Sequence, residues 1–419
     1  MQHVRFNYFY LKEWTIKIGN YFLCATLFLL PFPEIWPHYP LVSFLILGLM
    51  LWLIDFTRIK SEIMQQKLFI LPLICYFLLY LISCIFGRHI WGNVGDKLLF
   101  LLVPVLGYPI FNSRYFSEKL TCLFKFFIAG LVVISLYQLV RSVSESISMS
   151  AGIVKFNPII SPGVSRFNWE QLSTLEHPTY LNIKILWAIA ILLFLNDKLK
   201  IKAIYRILLV FLFSVMIFLL SVKSGMLILL FLLLYFLFSH KKGKESSVII
   251  AIAVPLIILF FVVIAWINVR TRQKILQTRQ VFSSGNVEFK NIDPRTRSWY
   301  ASLVLIGKKP VFGVGLNARD KLAEEYKTLG YTTEAELRLN SHNQYLETQL
   351  TIGVSGTIVL LWMLFIPVIF RKKLWCLSAV WPFFIIVSFS MIFESILVRQ
   401  WGIMFFVLFY CIIALTLKE

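Results

Sequence analysis

The sequence predicts an all-α polytopic membrane protein of about twelve transmembrane helices carrying a helical cap outside the membrane. Three observations predict it. The 419 residues are 59% hydrophobic and only 15% charged, with a mean hydropathy of +0.78. Apolar runs of about twenty residues recur along the whole chain, the length a helix needs to cross a bilayer. The runs are apolar on all sides rather than alternating, which argues against barrel strands. In hydrocarbon only helices and closed barrels satisfy every backbone polar group.

The expected spans are roughly 15–31, 38–55, 68–86, 97–111, 120–140, 179–195, 203–222, 224–238, 247–267, 345–370, 374–393 and 397–417. The fourth holds Pro104 and Pro109 and is expected to kink, since proline removes a helix hydrogen bond. The seventh and eighth meet at the KSG sequence of 223–225. The first run lacks a small-residue cleavage site and is expected to stay as an anchor.

Orientation follows from the short loops. Arg58, Lys60 and Lys67 share one; Lys198, Lys200, Lys202 and Arg206 cluster at another. Lys241, Lys242 and Lys244 form a third, and Arg371, Lys372 and Lys373 a fourth. Twelve spans place all four, and both termini, on the cytoplasmic side, where lysine and arginine concentrate. Much of the net charge of +20 lies in these loops and in two long outer segments. The charge therefore reports topology rather than nucleic-acid binding.

The two long segments are about 141–178 and 268–344. Long loops cross regardless of charge, and a loop of the second length is functional or disordered. Order signals are present in the second. Trp299, Leu303 and Ile306 fit one helical face, Leu322, Tyr326 and Leu329 another, and Gly330 fits a helix stop. The expected organisation is thus 1–267 as helices one to nine, 268–344 as the cap, and 345–419 as helices ten to twelve. Cys24, Cys75, Cys84, Cys122, Cys376 and Cys411 fall in or beside apolar runs without a CxxC spacing, and read as small buried side chains.

Several constellations could carry chemistry. In NSHNQYLETQ at 340–349, Ser341 and Gln344 read as a capping box. His342 then falls in the first turn of the tenth span. The positive end of a helix disfavours imidazolium, and a neutral imidazole is what a general base requires. The alternative is an interfacial histidine bonded to headgroups or a loop carbonyl. In DPRTRSWY at 293–300, Arg295 and Arg297 carry guanidinium forks suited to phosphate oxygens, or else are solvated or headgroup-bound. Lys223 is a lone cation on the outer side between apolar spans, a functional candidate or a snorkelling lysine. Glu394 and Arg399 share one short external turn and fit an ion pair. Glu176 and His177 stand at the entrance of the sixth span, where Pro178 fits a helix start. No set of residues has metal-ligand spacing. The GVG of 313–315 follows no strand, so it does not read as a nucleotide loop.

PRTRSWYASLVLIGKKPVFGVG followed by HNQYLETQLTIGVSG resembles the O-antigen ligase and polymerase superfamily most specifically across about 293–360. HPTYL and FESILVRQWG also look like elements of its ligase-like members. The resemblance implies a GT-C-type membrane fold in the inner membrane of a Gram-negative bacterium, with a periplasmic site. It implies an inverting, metal-independent enzyme with no cofactor, moving a glycan from undecaprenyl diphosphate to a sugar hydroxyl of lipid A–core. His342 then matches the residue that activates the acceptor hydroxyl. Arg295 or Arg297 matches the arginine on the diphosphate. Lys223 falls where many members have arginine, keeping the charge without the bidentate fork. Asn343, Glu394, Arg399 and His177 are candidate supporting groups. Cations that hold the diphosphate can stand in for a metal.

The nearest alternative is a polymerase that adds glycan to another undecaprenyl-linked chain; the motifs do not separate the two. A lipid transporter is the alternative from another class. Transporters place polar groups mid-span, often in broken helices, whereas the informative polar residues here sit at the outer boundary.

Overall fold

The computed structural model describes residues 2–86, 91–150, 153–161, 164–239, 293–370 and 377–415. The ninth expected span, the first part of the second long segment, and the basic clusters at 241–244 and 371–373 lie outside the described residues.

The chain forms two compact units. The first comprises Met1–Leu30, Glu34–Phe126 and Ile292–Glu419; the second comprises Pro31–Pro33 and Phe127–Asn291. In the first unit, α1 (Gln2–Leu29) and α2 (His38–Ile54) form a hairpin whose turn holds three prolines. Asp55 then ends α2, and α3 (Phe56–Gln65) leaves at 110°. The basic loop expected here is therefore largely helical. Arg58 and Glu62 pair one turn apart along α3 at 2.8 Å, and an amphipathic helix at that angle suits a membrane surface.

Next come α4 (Lys67–Ile85), α5 (Trp91–Gly95), α6 (Leu99–Leu106) and α7 (Tyr108–Phe111). The expected fourth span is thus broken at Gly107, between its two prolines. A Cβ on Gly107 would lie 2.5 Å from the Val103 carbonyl and 2.9 Å from the Phe44 ring, so the break is also a close approach. Helix α8 (Arg114–Ser146) runs six residues past its expected end and leaves the first unit partway along.

The second unit continues through two short antiparallel ladders that the sequence reading did not anticipate, β1 (Ile147–Ser150) with β2 (Ile153–Phe156) and β3 (Ile159–Ser161) with β4 (Val164–Ser165). It then holds α9 (Trp169–Leu172), α10 (Pro178–Phe194), α11 (Asn196–Leu199), α12 (Ala203–Leu219) and α13 (Lys223–Ser239). Helix α10 is buried from Pro178 through Leu193, as an all-round apolar helix should be. Gly225 lets α13 approach it; a Cβ there would lie 2.2 Å from the Asn182 amide.

The segment expected to form the cap holds α14 (Pro294–Lys308), α15 (Ala318–Thr328) and α16 (Thr332–Glu336), and belongs to the first unit with α17 (Gln344–Phe370), α18 (Leu377–Phe393) and α19 (Gln400–Leu415). Ala301, Leu305, Leu322, Tyr326 and Tyr331 form its core together with Leu350 of α17. The buried face of α14 is Ser298, Ala301, Ser302 and Leu305. Leu303, expected on that face, is 55% exposed. Small residues win the buried positions because they let helices pack closely.

Helix α17 is not one straight span. Gly353 has φ 70° and ψ −164°, a region open only to glycine. The backbone groups this frees are met by the VFGVG loop: Val314 N donates to Leu350 O at 2.7 Å, and Val354 N donates to Val311 O at 3.1 Å. Contacts also advance together along α4 and α17. Tyr76 meets Gln344 and Thr348, while Ile82 and Ser83 share a cavity with Ile352 and Ser355. The two helices thus run in the same sense where they meet. Plain alternation of straight spans sets them antiparallel; the break gives the first turns of α17 their own direction.

Among the described residues, Lys67–Ile85, Arg114–Ser146 and Gln344–Phe370 are long and apolar enough to cross a membrane, and the bent pair α2–α3 makes a fourth. Five shorter apolar helices accompany them. The protein is a predominantly helical, multi-pass membrane protein.

Candidate active site

The site is built around the start of α17. The expected capping box does not form. Asn343 caps the helix instead, its Oδ1 accepting from the backbone N of Tyr345 at 2.9 Å and of Leu346 at 3.1 Å. Ser341 turns to Glu347, donating to Oε2 through its hydroxyl at 2.7 Å and its amide at 3.1 Å. The hydroxyl donates to that buried carboxylate, a charge-assisted bond, while Asn343 accepts from the helix amides in its place. Gln344 reaches away from the cap, its Oε1 accepting from Leu397 N at 2.7 Å.

His342 therefore precedes the cap rather than lying in the first turn. Its φ is +48°, a left-handed conformation that costs a non-glycine residue about 1–2 kcal/mol. Asn340 holds it there, Oδ1 accepting from His342 N at 3.1 Å. The imidazole is 26% exposed, and Nδ1 lies 3.4 Å from Glu394 Oε1. That is close enough for attraction but outside hydrogen-bond geometry, and Nδ1 has no hydrogen bond. Glu394 is itself buried at the end of α18, where Oε1 accepts from Ser395 N at 3.2 Å. The expected partner Arg399 is exposed on the turn and makes no ion pair among the described residues. The carboxylate's buried position beside the imidazole explains the choice.

Helix α14 supplies the cations. Asp293 caps it, Oδ1 accepting from Arg295 N at 2.9 Å, with Pro294 in the first turn. Trp299 Nε1 points at His342 O at 3.5 Å, and its ring lies 6.2 Å from that of Phe393. Arg295 is one helical turn before Trp299 and so shares its face. Its guanidinium is half-buried and has no partner among the described residues. Arg297 projects elsewhere. It pairs with Glu334 at 2.6 Å and lies 5.6 Å over the Tyr331 ring. Burial raises the Tyr331 pKa above its ordinary value, and Tyr300 adds to the shift. The two arginines that sequence reading left equivalent are thus distinct, one committed to the cap and one available.

The structure also reveals groups that sequence reasoning passed over. Glu347 anchors Ser341 beside the histidine. Buried Lys97 donates to Leu397 O at 2.5 Å and braces the turn carrying Glu394. Both are ionisable residues bordering apolar runs, and that was the available signal.

Lys223 and His177 belong to the second unit. Lys223 opens α13 and is exposed; the turn lies just before it, at 220–222, with Ser221 at φ +55°. His177 caps α10, Nδ1 accepting from Thr179 N at 3.4 Å, and packs edge-on against Trp169. In the same unit Lys184 and Glu176 form a buried ion pair at 2.5 Å. Among the described residues no group of three or more His, Cys, Asp or Glu could hold a metal ion.

A comparison with curated proteins finds no match. The family model described as O-antigen ligase matches residues 208–361. That segment contains Lys223, Arg295, Arg297 and His342, the cap, and the first turns of α17. The family comprises membrane enzymes of ligase and polymerase type. Over that segment, somewhat over a third of the chain, the protein is similar to the O-antigen ligase family.

Proposed function

We propose that the protein is an inner-membrane glycosyltransferase of ligase type, moving a glycan from undecaprenyl diphosphate to a sugar hydroxyl of lipid A–core on the periplasmic side. The observation that carries this reading is one cluster. An imidazole stands beside a buried carboxylate, and an uncommitted arginine lies one turn from the tryptophan that touches the histidine.

The chemistry follows from those groups. The acceptor oxygen attacks the anomeric carbon from the face opposite the diphosphate, which gives inversion. As the new C–O bond forms, the bond to the diphosphate oxygen breaks and its electron pair leaves with the phosphate. His342 takes the hydroxyl proton on Nε2. Glu394, beside Nδ1, stabilises the imidazolium that results. Arg295 holds the charge growing on the diphosphate. Arg297 and Asn343 shape the site rather than touch substrate, and Arg399 and His177 take supporting places in their own elements.

The test is transfer by purified protein in detergent, without a membrane gradient. Glycan appearing on lipid A–core, and its loss in His342→Ala with donor binding retained, supports the reading. Glycan added only to a second undecaprenyl-linked chain identifies a polymerase instead. Wild-type turnover by His342→Ala removes the base assignment.

A further inference from the structure

A cavity of about 520 Å³ opens between the end of α4, the VFGVGLN loop and the break in α17. That is an ordinary size for one ligand. Leu79, Ile82, Phe312 and Ile352 give it apolar walls. At its edge Phe86 and Phe312 are 85% and 86% exposed. Large apolar surfaces left open in this way mark contact with lipid or a partner.

The cavity is not apolar throughout. Asn317 lines it and is only 8% exposed. It precedes α15 without capping it, and its side chain makes no hydrogen bond among the described residues. Its amide thus keeps a carbonyl oxygen and an NH2 group available to a ligand in the cavity. Asn317 Oδ1 and Ser83 Oγ lie 3.7 and 3.9 Å from where a Cβ of Gly315 would stand. Gly315, at φ +90°, keeps the space between them open. Lys321 brings an ammonium to the same wall, donating to Val314 O at 2.8 Å.

Hydrocarbon walls with an amide and a cation along one side complement a lipid that bears a phosphate. The cavity reaches α17 at Ile352, eight residues past the start of the helix that follows His342, or roughly 12 Å of helix rise. The donor diphosphate is already assigned to Arg295 at the other end of that segment. We infer that the cavity holds one acyl chain of a second, phosphorylated lipid, the acceptor, with its phosphate at Asn317 and Lys321. Naming that lipid as the acceptor rests on the proposed transfer reaction; the lipid and phosphate chemistry rests on the cavity alone.

The test is photolabelling of the full-length protein in detergent by lipid A carrying a diazirine on one acyl chain. Label is expected on the peptides containing Phe312 and Ile352. Unlabelled phosphorylated lipid A should compete it away, while dephosphorylated lipid A, phosphatidylglycerol and polyprenyl diphosphate should not. Asn317→Leu with Lys321→Met should reduce labelling at least tenfold. Ser355→Trp, which fills the cavity at the cost of only a local helix contact, should abolish it. Label elsewhere, equal competition by any of the other three lipids, or unchanged labelling in a folded variant overturns the site. Labelling needs no turnover, so a protein that labels here yet transfers no glycan overturns the proposed reaction and not the cavity.

Discussion

A Cβ placed on Gly353 would lie 2.0 Å from the carbonyl oxygen of Val311. The same oxygen accepts from Val354 N, so the glycine, the loop and the helix break form one joint. Gly313 completes it, since its own Cβ would meet Leu350 O at 2.6 Å. Gly353→Ala therefore meets two penalties, a forbidden backbone conformation and a backbone clash. Together these are expected to cost about 3 kcal/mol or more. Thermal unfolding in detergent should show a melting point lowered by several degrees. Wild-type stability for Gly353→Ala would mean that the loop does not dock as described.

The two arginines of α14 should separate experimentally. Glu334 is only 1% exposed in its pair with Arg297. Removing Arg297 leaves that carboxylate buried and uncompensated, at a cost of about 3 kcal/mol. Arg297→Ala is expected to lower stability with little change in donor KM, and adding Glu334→Gln should restore much of the loss. Arg295→Ala should leave the melting point alone and weaken donor use at least tenfold. Steady-state kinetics and melting curves on the same four proteins decide it. The roles are reversed if Arg297→Ala alone raises donor KM.

Much of this fold could be read before any coordinates, because a membrane imposes one strong rule on sequence. Runs at 38–55, 68–86, 179–195 and 203–222 became helices α2, α4, α10 and α12 within a few residues. What escaped was decided by tertiary contact. Nothing local in ESILVRQ says that Glu394 turns to His342 rather than to Arg399. Nor does NSHNQ say that Ser341 prefers Glu347 to the helix amides. Glycine offered a partial signal at 353, since a break needs it, but the loop that fills the break lies some forty residues earlier in the chain. On α14 the apolar pattern favours Leu303, which is exposed, over Ser298 and Ser302, which are buried, while Ile306 does pack against the core. Close helix packing reverses that weight.

Lys97 offers a prediction about support rather than chemistry. The residue is 4% exposed, and its ammonium donates to Leu397 O and lies 5.3 Å over the Tyr80 ring. Leu397 is three residues past Glu394, so the lysine fixes the turn that presents the carboxylate. Lys97→Met keeps the apolar stem and removes the donor. Turnover is expected to fall about tenfold through misplacement of Glu394, with donor KM within about twofold. A Lys97→Arg variant, which can still donate to Leu397 O, should recover part of that turnover. A Lys97→Met protein as active as wild type would show that the turn holds itself.

Glu394 Oε1 stands 3.4 Å from Nδ1 of His342. A carboxylate beside Nδ1 can do two things. It fixes which ring nitrogen faces the acceptor, and it stabilises the imidazolium after proton transfer. Glu394→Gln keeps the shape and hydrogen-bonding capacity but removes the charge. If charge matters, turnover falls by about 10- to 100-fold, the scale of losing a group that orients and supports a functional histidine. If only orientation matters, Glu394→Gln stays near wild type while Glu394→Ala falls. Combining Glu394→Gln with His342→Ala separates a shared role from an independent one. Residues that act as a unit are not additive, so the double variant should be no worse than His342→Ala alone. A further loss in the double variant would mean that the carboxylate meets the substrate on its own account.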